Sequence, residues 1–279
     1  MTGLYLCATP IGNLEDITFR VLRTLKEADL IAAEDTRNSM KLLNHFEIKT
    51  PITSYHEHNK IEKGKYLIKK MQEGVSVALI TDAGTPGISD PGEDLVSMCY
   101  QYGIPVTSLP GPAACITALT LSGLPGRRFC FEAFLPSDKK ERNRILEELK
   151  NETRTMIIYE APHRLSRTLE ELEKVLGDRK ASLVRELTKK HETVFRSTLH
   201  QLHLSVEEEP VKGECVLVIK GKSRAEIQAE DIARWEDMPL NDHMALYEKQ
   251  GMDRKSAMKQ VAKDRGVSKR EIYQQLLEK

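Results

Sequence analysis

Three short loops rich in glycine, proline and small residues hold the chemistry this sequence offers: Thr9-Pro10-Ile11-Gly12-Asn13, Asp82-Ala83-Gly84-Thr85-Pro86-Gly87 and Pro110-Gly111-Pro112-Ala113-Ala114. Gly84 and Gly87 let a ligand approach the backbone closely, and Pro86 stiffens the turn. Ala113 and Ala114 leave space for a flat ring. None of the loops fits the Walker A or the Gly-x-Gly-x-x-Gly pattern, which disfavours nucleoside triphosphates and dinucleotides as ligands. Two charged segments, Glu34-Asp35-Thr36-Arg37 and His56-Glu57-His58-Asn59, lie between the first and second loops. The former also suits a structural ion pair that caps a helix. His56-x-His58 would share one face of a strand, as paired metal ligands do. No further ligand follows at a usable spacing, so no metal is expected. His200 and His203 read as surface residues.

Short apolar strands are expected to position these loops. Residues 3–9 and 30–33, then 75–80 and 106–109, are such runs, and amphipathic stretches at 16–28, 61–73 and 92–102 separate them. Ile17, Val21, Leu22 and Leu25 fall on one helical face. The alternation argues for an α/β unit with a mostly parallel sheet, whose ligands bind beyond the carboxyl ends of the strands. A second alternation begins near residue 127, with strands at 129–134, 155–159, 181–187, 192–199 and 215–219 and helices at 138–150 and 163–176. The turn-rich Ser122-Gly123-Leu124-Pro125-Gly126 marks a domain boundary, and polar residues 221–230 read as a linker. The expected division is therefore 1–122, 123–222 and 223–279.

Composition narrows the classes. The chain has 279 residues, 40% hydrophobic and 30% charged, enough for a real core. It has no run of about 18 apolar residues, so no membrane span is expected, and its first residues lack the pattern of a signal peptide. Five scattered cysteines without a Cys-x-x-Cys spacing argue against a disulfide framework and a zinc site, and for a cytoplasmic setting.

Net charge is zero, so any nucleic-acid affinity has to be local. Residues 241–279 read as helices, with a turn at Arg265-Gly266-Val267 and a capping box from Ser268 to Glu271. Between Lys249 and Arg270 eight basic residues face only Asp253 and Asp264. A basic helix-turn-helix of this kind attracts phosphates. The alternative is a solvated helical pair packed on the body. Trp235 is expected to pack the small core of this unit.

In order and spacing the three loops resemble the tetrapyrrole methylase family, the class III methyltransferases, over roughly residues 3–221. Thr9-Pro10-Ile11-Gly12-Asn13-Leu14, Ala33-Glu34-Asp35-Thr36-Arg37, Ser54-Tyr55-His56-Glu57-His58-Asn59 and Tyr159-Glu160-Ala161-Pro162-His163-Arg164 look like its ribosomal RNA branch. Porphyrin-methylating relatives end their first loop in Gly-Pro-Gly-Asp, which Pro10-Ile11-Gly12-Asn13 does not match. The resemblance implies two α/β domains with a cofactor cleft between them, plus a small C-terminal helical domain. It implies a homodimer, and 2′-O-methylation of a cytidine in the decoding centre of 16S ribosomal RNA, free or within the 30S subunit. S-adenosylmethionine is the implied cofactor, contacted by Pro10, Ala83, Gly84, Thr85, Ile88, Ala113, Ala114 and Leu187, with Asp82 as a neighbour.

Such a transfer benefits from a base, and the candidates are Glu34, Asp35, His56, Glu57, Glu192 and, if burial lowers its pKa, Lys189. Arg37, Arg164 and Arg185 suit phosphate or base-edge contacts. Glu34–Arg37 and His56–Asn59 are expected to form an RNA-facing wall. Two rivals remain at this point: a small-molecule methyltransferase of the same fold, and a ligand-sensing DNA-binding regulator.

Overall fold

The computed structural model describes residues 2–277; Met1, Glu278 and Lys279, which the expected N-terminal strand pattern and C-terminal helical stretch include, lie outside the described residues. The first half alternates strand and helix: β1 (Gly3–Cys7), α1 (Phe19–Glu27), β2 (Leu30–Ala33), α2 (Thr36–His45), β3 (Ile52–Ser54), α3 (Lys60–Gln72), β4 (Ser76–Ile80), α4 (Gly92–Gln101), β5 (Val106–Leu109) and α5 (Ala114–Ser122). The strands run in the order β3-β2-β4-β1-β5, and each pairing is parallel. A parallel sheet points all its carboxyl ends one way. The loops after Cys7, Ala33, Ser54, Ile80 and Leu109 therefore open on a single edge.

Helices cover both faces of this sheet. Leu67, Ile68 and Met71 of α3 pack with Leu95 and Cys99 of α4 on one side. Val21 and Leu25 of α1 pack with Leu43 of α2 on the other, with Ile17 and Leu22 partly buried beside them. Helix α1 begins later than its periodicity suggests because Thr18 caps it, its hydroxyl accepting from the Val21 amide at 3.1 Å.

The second half contains β6 (Phe129–Phe134), α6 (Lys139–Leu149), β7 (Thr155–Glu160), α7 (Leu165–Leu176), β8 (Lys180–Arg185), β9 (Thr193–Thr198), α8 (Leu199–Glu208) and β10 (Cys215–Ile219). Its sheet, β6-β7-β10-β8-β9, is mixed. β6 and β7 run parallel, whereas β10 is antiparallel to β7 and β8, and β9 to β8. A short β8–β9 connection has no room for a crossover, so those strands must form a hairpin. The register sets Glu160 and Arg185, the last residues of β7 and β8, on either side of Cys215, the first of β10.

Helix α5, which the sequence reading leaves unassigned, joins the halves. Its Cys115, Ala118 and Leu119 pack with Ile157, Val184, Val216 and Val218 of the second sheet. The turn-rich break at 122–126 follows this joining helix.

The expected linker at 221–230 is instead largely helical, as α9 (Arg224–Ala233). A capping box overrides its polar composition: the Glu226 amide donates to the Ser223 hydroxyl (3.1 Å) and the Ser223 amide to the Glu226 carboxylate (2.6 Å). After it come α10 (Leu240–Lys249), α11 (Arg254–Asp264) and α12 (Lys269–Leu277), packed round Met244, Ala257, Val261 and Ile272. The Ser268–Glu271 capping box is formed. Trp235 stacks on the buried His243 ring at 4.0 Å. Arg265 turns inward to His243 Nδ1 (3.2 Å) and the Met238 carbonyl, which removes it from the expected basic surface. Among the described residues no helix is long and apolar enough to cross a membrane.

Candidate active site

The facing edges of the two sheets enclose a cleft of about 530 Å³. On the first-half side the loops after β1 and β4 are zipped together, the Thr9 amide donating to the Gly84 carbonyl (2.9 Å) and the Gly84 amide to the Thr9 carbonyl (3.0 Å). Gly84 holds φ +88, a conformation that favours glycine. The Thr85 hydroxyl donates to the Pro112 carbonyl at 2.8 Å, fixing the second loop to the third. Asp90 shapes the rest of this wall, its carboxylate accepting from the amides of Gly87 (2.9 Å), Ile88 (3.1 Å) and Gly92 (2.8 Å).

The opposite wall comes from the ends of β6, β7 and β8 and the start of β10. The Tyr159 hydroxyl accepts from the Cys115 amide at 2.9 Å, so this ring anchors the helix that follows Ala113. Phe131 and Phe134 meet it edge-on, with centroids 4.8 and 5.6 Å away. Glu160 is buried but satisfied: it accepts from the Ala161 amide (2.8 Å) and the Thr168 hydroxyl (2.6 Å), which in turn accepts from buried Arg142 (2.7 Å). Glu186 and Thr188 have φ of 50 and 64, costly for residues with side chains. Their loop is braced. Glu186 accepts from the Glu214 amide and the Lys189 ammonium, each at 3.0 Å, and both contacts hold its carboxyl below the ordinary value. Gly213, at φ +85, lies so close that a Cβ would run into the Glu186 carboxylate.

Of the residues assigned to the cofactor, Asp82, Ala83, Gly84, Thr85, Ile88, Ala113 and Ala114 line this cleft. Pro10 lines a neighbouring groove instead. Leu187 is buried in the core beneath α5 and does not line the cleft. Of the candidate bases, Glu34 and Lys189 line the cleft. Burial, reinforced by the charges of Asp82 and Asp90, pushes the Glu34 carboxyl above its ordinary value. Lys189 departs from the expectation. Burial opposes its charge, but Glu186 and Glu214 (3.2 Å) outweigh it and hold the ammonium above its ordinary value.

The remaining candidates stand outside the cleft. Asp35 caps α2 by accepting from the amides of Arg37 (2.8 Å) and Asn38 (3.4 Å), and pairs with the Arg37 guanidinium at 3.2 Å. Its own amide reaches the Asp82 carboxylate at 3.2 Å. His56 lies against Asn59, its amide donating to Oδ1 at 2.9 Å, and Glu57 pairs with Lys60 at 2.8 Å. Glu192 accepts from the Thr188 amide at 2.7 Å and so steadies the strained loop. Arg164 and Arg185 are spent on the carbonyls of Leu135 (2.9 Å) and Lys212 (2.7 Å). His203 is not on the surface as expected, but half-buried between Glu173 and Glu207. Among the described residues no group of His, Cys, Asp and Glu could hold a metal ion.

Charge decides what the cleft accepts. Glu34, Asp82, Asp90, Glu160, Glu186 and Glu214 line it, opposed among the described residues by Lys189. Such a lining favours a cation and repels phosphate. Sequence reasoning missed Asp90, Tyr159 and Glu186. Asp90 had a signal, since an acidic residue just before a Pro-Gly helix start can cap the preceding turn. Glu186 had none, because a hairpin loop and the start of β10 bring it to the cleft.

Two α/β halves joined by one helix, with an acidic, glycine-lined cleft along their joined edges, define a two-domain methylase. The chain belongs to the tetrapyrrole methylase family: the model of the Tetrapyrrole (Corrin/Porphyrin) Methylases matches residues 3–203. It is 51% identical to the "Ribosomal RNA small subunit methyltransferase I" of Halalkalibacterium halodurans, over 97% of this chain and 93% of that protein. It is 46% identical to the protein of the same name from Bacillus subtilis, over 97% and 92%. In fold it is similar to a uroporphyrin-III C-methyltransferase from Thermus thermophilus, solved with S-adenyl homocysteine, at TM-score 0.55 and 19% identity over 78% of this chain and 97% of that one.

Proposed function

We propose that this protein transfers the methyl group of S-adenosylmethionine to the ribose 2′-hydroxyl of a cytidine in the decoding centre of 16S ribosomal RNA. One observation carries the reading: the methylase cleft occurs in a chain about half identical, along nearly its whole length, to relatives named for the small-subunit ribosomal RNA. The lining fits the cofactor. Ala83, Gly84, Ala113 and Ala114 would hold its nucleoside through backbone and small apolar surface, and Ile88 and Phe134 add apolar cover. The carboxylates suit its positive charge. When bound, it supplies an electrophilic methyl carbon on a sulfonium.

The chain's own residues do the rest. Displacement at carbon needs the ribose oxygen in line, and positioning of this kind supplies about 7–11 kcal/mol. Glu34 takes the hydroxyl proton. Its raised pKa makes it a better base than an ordinary carboxylate, and a positioned general base contributes about 10²–10⁴-fold. Arg37, with its side chain largely exposed beside the cleft, meets a phosphate. Lys259, Lys263, Lys269 and Arg270 of α11 and α12 are exposed, with no carboxylate at ion-pair distance among the described residues, and grip the RNA backbone. We also infer a homodimer, supported by Phe129 and Phe195 left exposed on the edge strands β6 and β9, and a cytoplasmic setting, supported by five free cysteines.

The test is incubation with radiolabelled S-adenosylmethionine and, separately, free 16S RNA, 30S subunits, DNA and a porphyrinogen. Label on ribosomal RNA is the expected result. Label on the porphyrinogen, or tight DNA binding without turnover, would reject the reading.

A further inference from the structure

A second concavity, about 360 Å³, shares Thr81 and Asp82 with the cofactor cleft. One side is the loop after β1, through Pro10 and Leu14; the other is a face of α2, where Asn38, Leu42 and His45 recur at helical spacing. We propose that this groove seats the target nucleotide of the RNA, a reading that rests on the proposed methyl transfer and adds where the nucleotide is held.

Four observations converge on a nucleotide. The apolar surfaces of Pro10, Leu14 and Leu42 suit the flat faces of a base. Asn38 offers a donor and an acceptor on one amide, the pair needed to read N3 and the exocyclic amine of a cytosine. Lys41, 3.4 Å from Asn38 Oδ1, and His45 lie on the solvent side, where a phosphate would pass. The fourth is an unmet polar group. Ser39, 5% exposed, lines the groove, and its enclosed hydroxyl has no hydrogen-bond partner among the described residues.

The shared wall supplies the geometry. A nucleotide whose base enters beside Asn38 brings its ribose to the Thr81–Asp82 rim, next to the cleft that takes the methyl donor. Enzymes acting on one nucleotide commonly draw it out of its stack into such a pocket. The acidic cleft rejects phosphate, so the RNA chain keeps to the Lys41 side.

The probe is a short single-stranded RNA containing one cytidine, titrated by fluorescence anisotropy, with S-adenosylmethionine titrated in parallel by calorimetry. Leu42→Trp fills the groove and Asn38→Ala removes the reading amide; Met40→Ala, on the far side of α2, is the control. Both groove variants are expected to weaken RNA binding and raise KM for 30S subunits about tenfold, with cofactor affinity and the Met40 variant unchanged. Replacing the cytidine by uridine should weaken wild-type binding, and Asn38→Ala should remove that preference. If Leu42→Trp does not fold, Asn38→Ala decides. Wild-type RNA affinity in Asn38→Ala, with the cytidine preference intact, overturns the proposal, as does loss of cofactor affinity in a folded Asn38→Ala. Absence of label on ribosomal RNA with the wild type would sink the proposed methyl transfer, while the anisotropy still reads the groove.

Discussion

The cleft and the C-terminal helices carry opposite charge in a chain whose net charge is zero. The cleft gathers six carboxylates against Lys189 among the described residues, while α11 and α12 present cations with few acidic neighbours. The cleft is assembled from strand ends that lie far apart in the sequence, whereas the helices take their cations from one short run. The difference separates two tasks. On the proposed reading, a small positive cofactor and the proton transfer belong to the cleft, and a long polyanion belongs to the helices and the rim of α2.

The division breaks most sharply at Glu34. Glu34→Gln should lower the turnover of ribosomal RNA methylation about 10²–10⁴-fold while calorimetry shows unchanged cofactor affinity. Because the base must be ionised, wild-type activity should fall with acid at a pH above the ordinary carboxylate range. Stability should move the other way. The folded state raises the Glu34 pKa, so this group stabilises the fold below its unfolded pKa and loses that contribution as pH rises through the folded value. At neutral pH Glu34→Gln should therefore melt higher than the wild type, and the gap should close on acidification. Equal melting at both pH values would show that the carboxyl is not strained by its surroundings.

On the other side of the comparison, replacing Lys259, Lys263, Lys269 and Arg270 by Gln should weaken RNA binding at least tenfold and flatten its salt dependence. The slope should lose about 0.7–0.9 for each phosphate contact removed, with cofactor affinity untouched. An unchanged slope would assign these helices to another role. Gly213→Ala sharpens the account of the cleft's far wall: left-handed backbone and the Glu186 carboxylate both oppose a Cβ. A loss of about 1–3 kcal/mol in denaturant unfolding is expected. Ser223→Ala is the smallest change, about 1 kcal/mol, and should loosen α9 in hydrogen exchange without altering methyl transfer.

What could be read in advance follows the same line. Parallel strands turn sequence-local loops into one edge, so Asp82–Thr85, Ile88, Ala113 and Ala114 could be grouped from the alternation and the resemblance. The second sheet is mixed, and its contribution to the cleft depends on pairings across 55 residues of chain, such as Glu160 with Cys215. Periodicity carries no trace of that register. This is why Tyr159 and Glu186 are not assigned from the sequence, and why the condition set for Lys189, a pKa lowered by burial, cannot be tested without its two carboxylate partners. Asp35 and Arg37 show the opposite limit. Their types suit both catalysis and a capping ion pair, and only the geometry, that of a helix cap, separates the two.

The most direct measurement follows the methyl group itself. Unmodified 30S subunits would be treated with the protein and S-adenosylmethionine bearing a deuterated methyl, and the RNA digested to nucleosides for mass spectrometry. Deuterium in 2′-O-methylcytidine, and its loss with Glu34→Gln, is the expected result. Deuterium on a base, or none in the RNA, would contradict the assignment of the cleft to ribose methylation.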